Sequence, residues 1–198
     1  MPSSRSIALH YTDVGYGNHP VKLKQHRQMF EWIPYFRAHN ENWCAEDGSY
    51  DKQGRLPDRY SYYVAMAPAL TDITEYNADE DAFALAREMQ AIWREAARRM
   101  IGTDYYPLTL CRKSSDDFYA AQFHDPATQQ GILHLINGST ATQTQFVVML
   151  KGVKPEVQYV LRSAEQKREW VCSGAELLAG IPVTLAKKTG DIWFYERK

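Results

Sequence analysis

Ile7-Ala8-Leu9-His10-Tyr11-Thr12-Asp13 leads directly into Val14-Gly15-Tyr16-Gly17-Asn18-His19-Pro20. The first stretch is a short apolar run that ends in a carboxylate, and the second is a loop rich in Gly, Asn and Pro. A short apolar run with an abrupt glycine stop predicts a buried strand over Ile7–Tyr11. A carboxylate at the carboxyl end of a strand occupies the place where α/β barrels carry their reactive groups. Asp13 is therefore the first candidate site residue.

Working outward, Val21–Glu31 reads as a helix opened by Pro20 near its first turn. Trp32-Ile33-Pro34-Tyr35-Phe36 is strand-like, with the missing N–H of Pro34 calling for an unpaired position. A long polar loop is expected over Ala38–Pro57, followed by a short helix at Arg59–Met66, whose pattern also fits a strand, and a strand at Ala69–Thr74. From Asp79 to Ile101, Leu85, Met89, Ile92, Trp93, Ala96 and Met100 form one apolar stripe at helical spacing. Asn77 with Glu80 resembles a capping box, acidic and basic residues sit at the ends the macrodipole favours, and Gly102 offers a left-handed exit.

After Gly102 the pattern changes. Phe118–His124, Gly131–Asn137, Gln145–Leu150, Val157–Arg162, Pro182–Ala186 and Asp191–Glu196 are short β-rich runs separated by turn signals such as Asp125-Pro126 and Thr189-Gly190. Strands at this spacing predict an antiparallel sandwich. Two domains are expected, 1–103 and 104–198.

Composition narrows the function. Lys and Arg (23) nearly balance Asp and Glu (24), and no basic run offers a phosphate track, so a nucleic-acid partner is not expected. Cys44, Cys111 and Cys172 are odd in number and far apart, which suits a reducing compartment. Met1–Ser6 has no apolar h-region behind it, and no stretch approaches the ~18 apolar residues of a membrane span. A soluble, cytoplasmic protein is expected. Aromatics make up 13% of the chain, a proportion that suits an aromatic-rich core and also a sugar-stacking surface.

Several segments, in order, resemble the carboxyl-terminal portion of glycoside hydrolase family 36, the melibiase-type α-galactosidases. Leu9-His10-Tyr11-Thr12-Asp13 resembles the sixth barrel strand, which ends in the family's acid/base aspartate. Trp32-Ile33-Pro34-Tyr35 resembles the next strand and Ala67-Pro68-Ala69-Leu70-Thr71 the last. Asp104-Tyr105-Tyr106-Pro107-Leu108-Thr109 and Ala121-Gln122-Phe123 fall where the family's terminal domain begins. Ser173-Gly174-Ala175-Glu176-Leu177 and Val183-Thr184-Leu185 resemble its closing strands. The resemblance implies a partial (β/α)₈ barrel, about the last three strand–helix units, followed by an antiparallel β-sandwich. It also implies Asp13 as general acid/base and α-galactoside sugars as substrates once a complete site is assembled. His10-Tyr11-Thr12-Asp13 stands where the family commonly has Trp-Arg-Ser-Asp.

A retaining glycosidase needs two carboxylates ~5–5.5 Å apart, one as nucleophile and one as acid/base. In the family the nucleophile and the Gly/Cys-rich substrate-binding segment precede the position of Asp13. The isolated chain is thus expected to be catalytically silent, with no substrate-binding residue assigned. The partner expectations are association with an upstream barrel fragment or a homo-oligomer, a non-catalytic carbohydrate-binding role through Trp170 or Trp193, or an assembly role in which the exposed half-barrel pairs with another chain.

Other constellations are weaker. His10, His19 and His26 lack metal-ligand spacing, and Glu46, Asp47 and Asp51 beside Gly48 miss the calcium-loop pattern. Gly15-Tyr16-Gly17 lacks the GKS/T of a phosphate loop, and Ser173-Gly174 lacks a nucleophile-elbow context. Trp43 and Tyr50 fit a sugar cleft or burial equally. No metal and no cofactor is expected.

Overall fold

The computed structural model describes residues 38–42, 57–74, 76, 78–109 and 118–198. The strands expected at Ile7–Tyr11 and Trp32–Phe36 and the helix expected at Val21–Glu31 lie outside the described residues.

Strand β1 (His39–Glu41) pairs in parallel with β2 (Ala69–Thr71), His39 opposite Ala69 and Glu41 opposite Thr71. β1 corrects the expected Ala38–Pro57 loop at its start. Its buried residue is Asn40, so it lacks the apolar alternation that marks a strand; the parallel ladder and a 2.6 Å His39 Nε2–Thr71 Oγ1 contact hold it instead. Between the two strands in sequence lies α1 (Arg59–Ala65), capped by Asp58, whose side chain accepts from the Ser61 N–H at 2.8 Å.

Helix α2 (Glu80–Met100) follows β2 and matches the expected stripe: Met89, Ala96 and Met100 are buried, and Leu85, Ile92 and Trp93 pack against them. Its cap differs from the expected Asn77–Glu80 pair. Asp79, in extended conformation, accepts from the Ala82 N–H at 2.8 Å, which leaves Glu80 as the first helical residue. Gly102 leaves the helix at φ +73°, as expected.

The rest is antiparallel. β3 (Asp104–Pro107), β4 (Tyr119–Asp125), β5 (Gln130–Asn137), β7 (Gln158–Ser163), β8 (Glu169–Ser173) and β10 (Thr189–Arg197) form one sheet in the order β3-β4-β5-β10-β7-β8. β6 (Gln145–Val148) and β9 (Ile181–Thr184) form a separate two-stranded ribbon. Each of the six expected β runs contains a strand. Two strands and a helix were not foreseen. β3 and β8 are short, partly exposed edge strands with one acidic residue each and no regular apolar–polar alternation. Helix α3 (Gly174–Ala179) replaces the closing strand expected at Ser173–Leu177. Ser173 Oγ accepts the Glu176 N–H, and the Glu176 carboxylate accepts the Ser173 N–H at 2.7 Å. That reciprocal cap starts a helix too short to show a period.

Side chains alternate across a strand, and here both faces of the sheet are buried. Ile132, Ile136, Ile192 and Phe194 point to one face, where α1 and α2 cover them through Tyr63, Met89 and Met100. Leu133, Leu135, Trp193 and Tyr195 point to the other, against Val148, Leu150, Ile181 and Val183 of the β6–β9 ribbon and its flank. This second core lies between two antiparallel sheets, as in a β-sandwich. Each fully buried large apolar side chain contributes about 1.5–3 kcal/mol.

Buried in the first core, His134 donates from Nε2 to the Tyr63 carbonyl at 2.7 Å, and burial pushes its pKa from 6.5 down to about 4. The folded state thus binds fewer protons than the unfolded chain below pH 6.5. The stability it protects is complete above pH 6.5 and is lost as pH falls toward 4, about 3 kcal/mol in all. Urea unfolding at pH 7 and pH 4 should show that loss, reduced by about the same amount in His134→Gln, which keeps a donor and does not titrate. Equal pH slopes in the two proteins would refute it.

Candidate functional site

The carboxyl ends of β1 and β2 lie side by side, and each strand runs directly into a polar residue: Asn42 after β1 and Asp72 after β2. The ladder extends one step beyond β1, from the Asn42 N–H to the Thr71 carbonyl at 3.2 Å. The Asn42 side chain then closes the rim, accepting the Ile73 N–H at 3.0 Å and donating to Asp72 Oδ1 at 3.0 Å.

Asp72 is the centre of this rim. Its Oδ1 also accepts from the Thr74 N–H at 3.0 Å and the Thr74 hydroxyl at 2.8 Å. Its Oδ2 accepts from the Tyr62 hydroxyl of α1 at 2.8 Å and from Gln90 Nε2 of α2 at 2.7 Å. Partial burial works to raise the carboxyl pKa, but donors from Gln90, Asn42 and Thr74 outweigh it and hold the group below its ordinary value. Burial pushes the Tyr62 phenol above its ordinary value. A carboxylate offers about four lone-pair sites. Five donors already fill those of Asp72, so it braces the rim and has no capacity left to attack a substrate or to shuttle a proton.

Asp13 lies outside the described residues, as do His10, His19, His26, Trp43, Glu46, Asp47, Tyr50 and Asp51. The two tryptophans considered for sugar stacking are described. Trp193 is 5% exposed, donates from Nε1 to Asp191 Oδ2 at 2.8 Å and meets Trp170 edge-on at 4.8 Å between ring centres. It is a core residue and offers no stacking face. Trp170 is half-buried, with the Arg168 guanidinium 5.4 Å from its ring centre. Cys172 is half-buried, and burial raises its thiol pKa. Among the described residues no group of three or more His, Cys, Asp or Glu is placed to hold a metal, and no described helix is long and apolar enough to cross a membrane.

Sequence reasoning passed over Asn42, Tyr62, Asp72 and Gln90. One signal was available: Asp72 stands at the end of a short apolar strand, the same arrangement that singled out Asp13. The other three carry no local mark, since only folding brings them to Asp72.

Asp72→Asn replaces one acceptor oxygen with an NH₂ that must face donors. It is expected to lower the unfolding free energy by about 1–3 kcal/mol in urea titration at pH 7. A change within a few tenths of wild type would show that the rim bonds are not formed.

No family model matches the sequence, and no curated protein matches it. Likeness to known proteins lies in the fold. A variant of the family 36 α-galactosidase AgaA from Geobacillus stearothermophilus, in complex with 1-deoxygalactonojirimycin, has a TM-score of 0.70 at 16% identity, over 91% of this chain and 25% of that one. The family 36 α-galactosidase AgaB of the same organism has a TM-score of 0.68 at 19% identity, over 91% and 24% of the two chains. The galactosidase domain of the α-galactosidase–sucrose kinase AgaSK gives 0.68 at 17%, over 91% and 25%. The chain spans about a quarter of the length of the solved structures it matches. It has the fold of that quarter of a family 36 α-galactosidase, the family its segments resemble.

Proposed function

We propose that this chain is the carboxyl-terminal portion of an α-galactosidase-like retaining glycoside hydrolase of carbohydrate metabolism. In this proposal residues 1–103 form the last strand–helix units of a (β/α)₈ barrel and residues 104–198 the terminal β-sandwich. The observation that carries it is the fold likeness over 91% of the chain at a TM-score of 0.70. The parallel β1–β2 pair, with polar residues at its carboxyl end and α2 behind it, suits the closing strands of such a barrel. Asp13 is the acid/base, at the end of an earlier strand. The substrates are α-galactosides; solved relatives hold raffinose and stachyose. The protein is soluble and cytoplasmic.

The chemistry then requires a nucleophilic carboxylate opposite Asp13. Asp72 is not that group, because its oxygens are saturated. The nucleophile comes from a barrel strand ahead of Asp13, and these 198 residues alone do not turn over substrate. A non-catalytic assembly role has one observation in its favour. Strands of parallel sheets are normally covered on both faces, and Ala69, Leu70 and Thr71 of β2 are only partly buried, although Leu70 packs against the first core. A polypeptide that completes the barrel, or a second copy, would cover them.

Incubation of the pure chain with an aryl α-galactoside is expected to release no phenol above the buffer rate. Turnover abolished by Asp13→Asn would overturn the silence while upholding Asp13 as acid/base. Turnover that Asp13→Asn leaves intact would overturn both.

A further inference from the structure

Two consecutive tyrosines of α1 reach different partners. A step of about 100° around the helix separates Tyr62 from Tyr63. Tyr62 reaches the rim, donating to Asp72 Oδ2 at 2.8 Å with Thr74 Oγ1 3.1 Å away. Tyr63 reaches the six-stranded sheet and is held there at three points. Its hydroxyl donates to Glu165 Oε2 at 2.7 Å, beyond the end of β7. Its carbonyl accepts from His134 of β5 at 2.7 Å. Its Cβ lies so close to Gly190 of β10 that a methyl group there would come within 2.4 Å.

The surroundings leave α1 no freedom to move apart from the sheet. Tyr60 to Ala65 are all buried. Arg59 bridges Glu165 at 3.2 Å and Glu88 of α2 at 2.6 Å. The Glu165 backbone N–H in turn donates to Asp191 Oδ1 of β10 at 3.0 Å. At the same end of the helix, the Asp58 cap lies 3.5 Å from the Lys188 ammonium, just before β10. Tyr62 and Tyr63 are consecutive residues of one short helix, so a shift at the sheet contact of Tyr63 is passed on to the rim contact of Tyr62.

We infer that α1 is a positioning element, through which the seat of Tyr63 on the β-sheet sets, by way of Tyr62, the order of the rim at the carboxyl ends of β1 and β2. Tyr63 acts through Tyr62 and touches none of the rim groups in this role. The catalytic meaning of the rim rests on the function proposed above; the coupling does not. A terminal β-sandwich coupled in this way does more than cover apolar surface, because it holds the mouth of the strands in register. Gln90 of α2 gives the rim a second tie, so losing the first loosens the rim without dissolving it.

The test is amide hydrogen exchange followed by NMR. The reporters are the Ile73 and Thr74 N–H groups, bonded to Asn42 and Asp72, with ladder amides of β5 as the control. Tyr63→Phe keeps the ring and removes the Glu165 bond, worth about 1 kcal/mol, so the rim amides should exchange roughly five- to tenfold faster while β5 holds its rate. Gly190→Ala, which displaces α1, should act in the same direction. In a Tyr62→Phe background the effect of Tyr63→Phe on the rim should vanish, since the link is already cut. The inference is overturned if rim rates stay at wild type, if they rise only in step with β5, or if Tyr63→Phe acts equally in both backgrounds. None of these outcomes depends on glycosidase activity, so failure here is separate from failure of the proposed function.

Discussion

A sheet that is apolar on both faces must be covered twice, and the rest of this fold is the means of covering it. Residues alternate along β5 and β10 between two cores, Ile132 and Phe194 to one side, Leu133 and Tyr195 to the other. Water on either face would expose a continuous apolar surface. The β6–β9 ribbon and α3 close one side. The other is closed by α1 and α2, which come from the half of the chain that also holds the parallel strands. The requirement to bury the second face thus ties the two halves together more firmly than the chain connection does.

Close packing on this sheet comes with polar groups that cannot leave. His134 sits in the apolar layer, with Nε2 bonded to Tyr63 and Nδ1 lacking a partner among the described residues. Asp191 is fully buried; burial raises its carboxyl pKa, while Ser163, Glu165 and Trp193 each donate to it. In the second core His124 and Gln122 both reach the Tyr195 hydroxyl, at 3.0 and 2.9 Å. Burying a polar group without a partner costs more than a hydrogen bond returns. Such groups therefore favour the one arrangement that satisfies most of them. Gly131 belongs to the same constraint: a side chain there would strike the Phe123 carbonyl and the Tyr195 ring.

The two candidate carboxylates illustrate what a strand end can mean. Asp13 and Asp72 have the same local signature, an acidic residue after a short apolar run. Five donors converge on Asp72 and make it a brace, a role no inspection of its neighbours in sequence would assign. Gln90 is eighteen residues away and Asn42 thirty. The tryptophans make the opposite point. Trp193 in a short strand fits a stacking platform as well as a core, and the alternation of β10 against the ribbon put it in the core.

The amino-acid sequence by itself determined the elements with strong periods. The α2 stripe, the β runs of the second half and the Gly102 exit follow from local spacing and backbone preference, which need no partner to be read. It also carried, in the order of its segments, the resemblance to a glycosidase family that the fold bears out. Tertiary structure alone decided β1, whose only buried residue is an asparagine, the edge strands β3 and β8, and the hydrogen-bonded rim. Those features are stabilised by partners distant in the chain, and an interaction that exists only after folding leaves no local pattern in the order of residues.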